Sequence, residues 1–176
     1  MTGNTCELEL FLPEDKIFGR VKQLAGRLNE DFYGKDPVFI SVLAGSLMFT
    51  SDLIRNINFD HSLTFTKIKS YQGMSSTNTF DFKLDVNDLP EGKDLIIIED
   101  IVDTGNTLNF LIGELKKKVP QSIAVATLLL KPDVYKFHHV INYVGFEIPD
   151  NFVVGYGMDL DDRHRNLRDI YIYKNK

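Results

Sequence analysis

Cysteine and long apolar runs are nearly absent from this chain. Of its 176 residues one is cysteine, Cys6, so a disulfide within the chain is excluded, and we expect an idle thiol rather than a nucleophile. No stretch approaches the ~20 apolar residues that a membrane-spanning helix needs. The N-terminus lacks the basic patch and apolar run of a signal peptide. We therefore predict a soluble, cytoplasmic protein without a membrane partner.

An excess of positive charge is missing as well. The chain has 20 Lys and Arg against 25 Asp and Glu, a formal net charge of −5. General binding of nucleic acid needs surplus Lys and Arg to neutralise phosphates, so no nucleic-acid partner is predicted. No repeat, low-complexity segment or linker divides the chain, and 43% of it is hydrophobic. This composition suits a single domain over residues 1–176.

Apolar residues spaced by three and four predict a helix that Pro13 opens, because proline is tolerated in a first turn. Its buried face consists of Ile17, Val21, Leu24 and Leu28. Further along, short apolar runs alternate with helical patterns. Strands are predicted at 38–43, 95–98, 123–130, 140–146, 152–156 and 170–173, with helices at 47–55 and from Leu108 through Val119, where Pro120 ends the pattern.

The segment between residues 63 and 86 has a different pattern. Residues 63–71 are rich in Thr, Phe and Ile, and residues 80–86 alternate with period two. Both runs are typical of half-exposed strands. The small polar residues 72–79 between them predict a mobile loop.

The alternation of strands and helices predicts the fold class. It indicates an α/β fold with a mostly parallel, twisted sheet that helices flank on both faces. In such folds, ligands bind at the carboxyl ends of the strands. The unusual residues of this sequence lie at those predicted ends.

The most informative segment is EDIVDTGNT, residues 99–107. Three carboxylates lie within five residues after an apolar strand, and a glycine and two threonines follow at the start of a helix. The N–H groups at a helix N-terminus lack partners and bind phosphate. Gly105 lets the backbone approach the anion, and Thr104 and Thr107 can add hydroxyl donors. This pattern predicts a phosphate site.

Glu99 and Asp100 stand beside that predicted site. Carboxylates there suit ribose hydroxyls or a hydrated magnesium ion. For any one residue a plainer alternative exists: Asp103 or Thr104 as a helix cap, and the acids as solvated loop charges.

At this point the sequence resembles a known family. The string IIIEDIVDTGNTL is similar to the phosphoribosyl pyrophosphate signature of type I phosphoribosyltransferases. The hypoxanthine-guanine branch resembles the chain from residue 10 to 173. The matching strings are VFISVLAGSLMFTSDL, SYQGM, LLLKP, VGFEIPDNFVVGYGMDL and RNLRDI.

The resemblance implies a purine-salvage enzyme. It would join a 6-oxopurine base, hypoxanthine or guanine, to the ribose 5-phosphate of phosphoribosyl pyrophosphate, with Mg²⁺ as cofactor. It also implies a small hood over the sheet, an antiparallel lid hairpin at residues 63–86 with Ser70 and Tyr71 in the lid, and a homodimer or homotetramer.

The resemblance assigns roles around the phosphate segment. Asp103 would be the general base that takes the proton from N7 of the purine. The 5-phosphate and ribose would be bound by Glu99, Asp100, Asp103, Thr104, Gly105, Asn106 and Thr107. Glu99, Asp100 and Asp159 would hold metal. Asn106 stands where relatives often have Lys or Arg, so we expect backbone amides to carry more of the phosphate affinity.

Other roles fall outside that segment. Ala44 and Gly45 would form the pyrophosphate loop, with a non-proline cis peptide at the Ala44–Gly45 position, and Arg165 would pair with pyrophosphate. Many relatives have a basic residue at Ala44, which leaves backbone contacts there. The base would be bound by Lys131, which donates to its O6, by Phe152, which stacks on it, and by Val153 and Asp159, through their backbone.

Three alternatives stay open on sequence alone. A regulator with the same fold would bind phosphoribosyl pyrophosphate without catalysis. A receiver domain of phosphorelay signalling is also doubly wound and has a Lys-Pro after a strand, but it needs an acidic pair after its first strand, where this chain has Ala-Gly-Ser. Within the enzyme interpretation, specificity for xanthine or adenine is the competing alternative. The sequence does not rank hypoxanthine, guanine and xanthine, because backbone geometry at Val153 and Asp159 decides between them.

Overall fold

The computed structural model describes residues 7–71, 79–82 and 89–174. In these ranges the chain forms nine strands and three helices. They are β1 (Glu7–Leu12), α1 (Glu14–Asp31), β2 (Val38–Leu43), α2 (Leu47–Ile54), β3 (Ser62–Tyr71), β4 (Thr79–Phe82), β5 (Asp94–Val102), α3 (Asn106–Lys116), β6 (Ser122–Leu130), β7 (Tyr143–Glu147), β8 (Val153–Val154) and β9 (Ile170–Lys174).

The larger sheet has the strand order β4-β3-β2-β5-β6-β7. Strands β3, β2, β5, β6 and β7 run parallel, and β4 pairs antiparallel with β3. Both faces are covered, as the continuous apolar run of β5 predicts. Ile96 and Ile98 pack with α1 and α2, whereas Leu95 and Ile97 pack with α3. The predicted α/β fold class is confirmed.

A second, antiparallel sheet forms the hood, with the order β1-β9-β8. Its β1 was not predicted, although residues 7–10 alternate acidic and apolar side chains as a strand does. The strand is largely exposed, and even Leu10 is exposed. The hood brings β8, and with it Val153, against the C-terminal β9.

The first helix forms as its sequence predicts. Pro13 is the N-cap, Glu14 and Asp15 lie in the first turn, where acids complement the helix dipole, and the predicted apolar face is buried. None of the described helices is both long enough and apolar enough to span a bilayer.

Some predicted boundaries were wrong. β5 continues four residues beyond Ile98, because its pairing with β6 persists to Val102 opposite Leu130. Helix α3 ends at Lys116, so Val119, predicted on its buried stripe, is 76% exposed with a φ of 48°. β7 begins at Tyr143 instead of residue 140, and β8 has two residues.

Candidate active site

The carboxyl ends of four parallel strands meet in one cleft. Gly45 follows β2, Asp103 follows β5, Lys131 follows β6 and Asp150 follows β7. The extension of β5 has a direct consequence for the acids. Because neighbouring strand residues point to opposite faces, Glu99 lies on the α3 side and Asp100 on the side of α1, α2 and the hood.

The predicted phosphate segment surrounds a small cavity of about 90 Å³ between the end of β5 and the start of α3. Its lining includes Glu99, Asp103, Thr104, Gly105, Asn106 and Thr107. The N–H of Asn109 donates to the carbonyl of Gly105 at 2.8 Å. The helical N–H groups before Asn109 therefore have no partner one turn back, which is the arrangement that binds anions.

Gly105 is required at the N-cap of α3 for two reasons. Its φ of 83° lies in the left-handed region, and a Cβ added there would overlap the ring of Tyr135. The turn can therefore adopt this conformation only without a side chain at this position.

The two acids at the end of β5 are poorly compensated. Glu99 is 6% exposed, and burial together with the neighbouring Asp100 carboxylate raises its pKa well above the usual value. Burial also raises the pKa of Asp100 to about 6, although the N–H groups of Ile101 and Asp100 and the charge of Arg165 act in the opposite direction. Such acids favour a cation beside them.

The predicted pyrophosphate loop contacts Asp100 directly. A Cβ on Gly45 would overlap the Asp100 carboxylate, and a Cβ on Gly157 would overlap the carbonyl oxygen of Gly45. Close approach therefore demands glycine at both positions. The predicted cis peptide was placed one bond too late: it joins Leu43 and Ala44.

Arg165 lies beside this loop and is held by its own neighbours. Its guanidinium donates to the carbonyl of Gly157 at 2.8 Å and pairs with Asp159 at 2.8 Å and Asp162 at 3.1 Å. The second carboxylate oxygen of Asp159 accepts the N–H of Asp162. The planar Arg165 guanidinium thus lies between Asp159 and Asp162 at the edge of the cleft, close enough to Asp100 to lower the pKa of that carboxyl.

A second cavity, of about 190 Å³, adjoins the first and shares Ile101 and Asp103 with it. Its lining comprises Asp100, Ile101, Asp103, Lys131, Asn151, Phe152, Val153, Met158 and Asp159. Phe152 is 50% exposed and meets the ring of Tyr173 edge-on, with the centroids 5.9 Å apart. One face of an aromatic ring is thereby available for stacking.

The side chain of Lys131 is 7% exposed, yet it is charged. Its ammonium donates to Asp103 at 3.0 Å and to Asp150 at 2.9 Å. Burial alone would lower the pKa of Lys131, but the bonds to Asp150 and Asp103 outweigh it, and the pKa is raised. An ammonium has three donors, so one remains for a ligand in the cavity.

Sequence reasoning missed three residues of this cavity, Ile101, Asn151 and Met158. It also missed Asp150, which accepts a hydrogen bond from the Lys131 ammonium. A signal for Asp150 was present, because it is a carboxylate shortly after β7, at the end of the sheet where ligands bind. Ser70 and Tyr71 are the last two residues of β3, paired with Phe80 and Thr79 of β4. Their side chains and residues 72–78 of the predicted loop 72–79 lie outside the part of the chain that is described, and Thr79, predicted in the loop, is the first residue of β4.

We expect Asp100→Asn to stabilise the metal-free protein while it impairs the site. Between about pH 4 and pH 6 the unfolded chain releases the Asp100 proton while the folded protein retains it, so rising pH lowers the free energy of unfolding. A pKa raised from 3.8 to about 6 corresponds to about 1–3 kcal/mol at pH 7.5, allowing for partial solvent access. Urea unfolding in EDTA should show this gain, and about half of it at pH 5. A variant less stable than the wild type at pH 7.5 would refute the argument.

The free N–H groups at the start of α3 suit a phosphate, and the adjoining cavity offers an aromatic ring for stacking. Asp103 lines both cavities at the end of a parallel sheet. Together these features are typical of an α/β protein that binds a nucleotide. A family model described as the phosphoribosyl transferase domain matches residues 11–161. The chain belongs to the phosphoribosyltransferase family.

Individual relatives confirm the predicted resemblance to the hypoxanthine-guanine branch. Hypoxanthine phosphoribosyltransferase of Escherichia coli (strain K12) is 39% identical over 163 residues, 91% of this chain and 92% of that protein. Hypoxanthine-guanine phosphoribosyltransferase of Staphylococcus aureus (strain Mu50) is 41% identical over 160 residues, 90% of this chain and 89% of that protein. The crystal structure of a hypoxanthine phosphoribosyltransferase from Staphylococcus aureus matches with a TM-score of 0.88 at 39% identity, covering 94% of this chain and 91% of that one.

Proposed function

We propose that this chain is a purine-salvage transferase. It converts hypoxanthine, guanine or both, with phosphoribosyl pyrophosphate, to the nucleoside monophosphate and pyrophosphate. One observation carries the proposal: Asp103 lines both the phosphate cavity and the cavity that contains Lys131 and Phe152. A nucleotide needs such an arrangement, because its ribose joins a phosphate to a base.

The phosphate cavity receives the 5-phosphate. Backbone N–H groups of residues 104–107 and the hydroxyls of Thr104 and Thr107 donate to it, and Glu99 and Asp100 face the ribose. Asn106 adds no positive charge at this turn, so affinity for the phosphate depends on how well the amides are oriented. Ala44 and Gly45, through their backbone, and Arg165 bind the pyrophosphate.

The larger cavity receives the base. Phe152 stacks on the purine, and the backbones of Val153 and Asp159 meet its pyrimidine edge. Lys131 directs its remaining donor to the exocyclic O6. A group with donors and no acceptor favours a 6-oxopurine over a 6-aminopurine, whose amino group is itself a donor.

The reaction forms a bond from N9 of the base to C1 of the ribose and breaks the bond from C1 to pyrophosphate. Positive charge develops on the sugar as the leaving group departs, as in glycoside hydrolysis. Asp103 takes the N7 proton as the base attacks, and returns it in the reverse reaction. Lys131 holds the Asp103 carboxylate next to the base.

The family implies magnesium, and the residues fit it. Burial raises the pKa values of Glu99 and Asp100, so a cation beside them would stabilise their charged forms. Among the described residues no group of three His, Cys, Asp or Glu could hold a metal by itself. Mg²⁺ commonly binds one or two carboxylates together with substrate oxygens and water. Glu99 and Asp100 would hold one Mg²⁺, Asp159 would hold a second on the pyrophosphate side, and the ions would supply charge neutralisation for the pyrophosphate.

The remaining features follow the family. We propose one phosphoribosyltransferase domain over residues 1–176, with residues 63–86 as a lid hairpin. The antiparallel pairing of β3 and β4 supports the hairpin. Closure by Ser70, Tyr71 and the loop after them would exclude water from a cationic sugar. A cytoplasmic homodimer or homotetramer is the matching assembly.

A turnover assay tests the proposal. Purified protein, phosphoribosyl pyrophosphate and Mg²⁺ are incubated with hypoxanthine, guanine, xanthine and adenine in competition, and each nucleotide is quantified by chromatography. We expect nucleotides from hypoxanthine or guanine, and at most traces from adenine. Binding of phosphoribosyl pyrophosphate without any turnover would favour the regulator, and dominant formation of the xanthine nucleotide would shift the substrate.

A further inference from the structure

A strap of chain, residues 131–139, crosses the phosphate-binding turn from the base cavity. It begins at Lys131, whose N–H donates to the carbonyl of Val102 at 2.9 Å. Five residues later the N–H of Lys136 donates to the carbonyl of Thr104 at 3.2 Å. Two backbone bonds therefore join the strap to the end of β5 and to the turn that follows it.

The side chains of the strap cover the same turn. The ring of Tyr135 lies on Gly105, and that of Phe137 comes within 3.0 Å of where a Gly105 Cβ would be. The imidazole Nε2 of His139 lies 2.9 Å from the side-chain oxygen of Asn109 in α3. The strap thus packs against the phosphate-binding turn and bonds to the first turn of α3.

Hydrogen bonds within the strap hold the rings of Tyr135 and Phe137 in place. The hydroxyl of Tyr135 donates to the carbonyl of His139 at 3.0 Å, and the N–H of Tyr135 donates to the carbonyl of Lys131 at 3.2 Å. Phe137 stacks on His139, with an angle of 18° between the ring planes. Tyr135 therefore presents its ring to Gly105 from a folded loop.

This arrangement matters because of what the turn lacks. Gly105 has the widest backbone freedom of any residue type, and Asn106 provides no cationic side chain. A phosphate held by backbone amides gains affinity from amides that already point at it, since ordering them on binding costs free energy. Two rings laid on Gly105 limit the conformations of the turn before any ligand arrives.

We propose that Tyr135, with Phe137, is a positioning residue for the phosphate-binding turn. It touches no substrate and acts through Gly105. The inference rests on the proposed function for the identity of the ligand, a sugar phosphate. It further assigns the strap as the physical link between Lys131 in the base cavity and the phosphate turn.

Tyr135→Ala tests the inference with two measurements. Steady-state kinetics should show KM for phosphoribosyl pyrophosphate raised about tenfold, with KM for hypoxanthine within about twofold, because only the phosphate turn has lost its cover. Calorimetric titration with ribose 5-phosphate should show a Kd about tenfold weaker, independently of turnover. Tyr135→Phe keeps the ring on Gly105 and should restore both values to within about twofold.

The controls separate positioning from general destabilisation. Phe18→Ala removes an exposed ring from α1, far from the turn, and should change neither constant. If Tyr135→Ala does not fold, Tyr135→Leu keeps apolar cover without the flat face and should weaken ribose 5-phosphate about threefold or more. A folded variant of either kind that binds ribose 5-phosphate within twofold of the wild type overturns the inference. If the wild-type protein shows no turnover but its binding of ribose 5-phosphate still depends on Tyr135, the proposed function is refuted and the positioning role of Tyr135 is supported.

Discussion

Replacing Asp103 by Asn is expected to lower kcat by about 100- to 1,000-fold, with both KM values within about threefold. The exchange keeps the shape of the side chain and one acceptor for Lys131 Nζ, which lies 3.0 Å from the carboxylate. It removes the proposed acceptor of the N7 proton, and general-base catalysis of this kind contributes about 10²–10⁴ in rate. Loss of kcat without loss of binding identifies an interaction made in the transition state.

Asp150→Asn is the matched control, because Asp150 is the other carboxylate that binds the same ammonium, at 2.9 Å. This variant also removes a carboxylate partner of Lys131 but leaves the proposed proton acceptor, so its kcat should fall less than tenfold. Single-turnover rates of nucleotide formation measure both variants without interference from product release. If Asp103→Asn kept kcat within about threefold of the wild type, Asp103 would not be the base.

Removal of the Lys131 ammonium is expected to have the second-largest effect. Lys131→Met should lower kcat/KM for hypoxanthine about 10- to 100-fold, because it removes the proposed donor to O6, and a hydrogen bond from a charged group contributes about 1.5–3 kcal/mol. The carboxylates that it leaves unpaired, Asp103 and Asp150, are 48% and 61% exposed, so water can solvate them. The discrimination between hypoxanthine and adenine should shrink as well. Methionine neither donates to an oxygen at C6 nor repels an amino group there.

Lys136→Met provides the control for Lys131→Met, since it makes the same exchange at an exposed lysine five residues further along the strap. Its bond to Thr104 comes from the backbone and survives. We expect kcat/KM within about twofold of the wild type. A Lys131→Met enzyme that still rejects adenine as strongly as the wild type would show that selection against 6-aminopurines lies elsewhere in the cavity.

The two acids at the end of β5 lower the stability of the folded protein at the place where the proposed function needs them. Glu99 and Asp100 are placed where burial raises their pKa values, which destabilises their charged forms in the folded, metal-free protein. In the proposed function, the same placement lets them bind a cation and the ribose. The expected gain in stability of Asp100→Asn, with loss of activity, would be the signature of this compromise.

Much of the site was predictable because it is local. The acids, the glycine and the helix start of residues 99–107 are contiguous, so a motif and the physics of helix ends together indicate a phosphate site. Lys131 and Phe152 were named from the family resemblance, and the carboxyl-end rule for parallel sheets explains why they lie near that segment. Boundaries were less predictable: β5 runs to Val102 because β6 continues to pair with it.

The sequence by itself determined the alternating pattern of strands and helices, and with it the parallel sheet and the end at which ligands bind. Hydrophobic periodicity and helix-end chemistry act over a few residues and can be read along the chain. Only the tertiary structure decided which distant residues meet: Asp150 at Lys131, Gly157 at Gly45 and Tyr135 at Gly105. Those contacts depend on the paths of loops between elements, where close approach of backbone and rings selects the residues, and no local pattern encodes such distances.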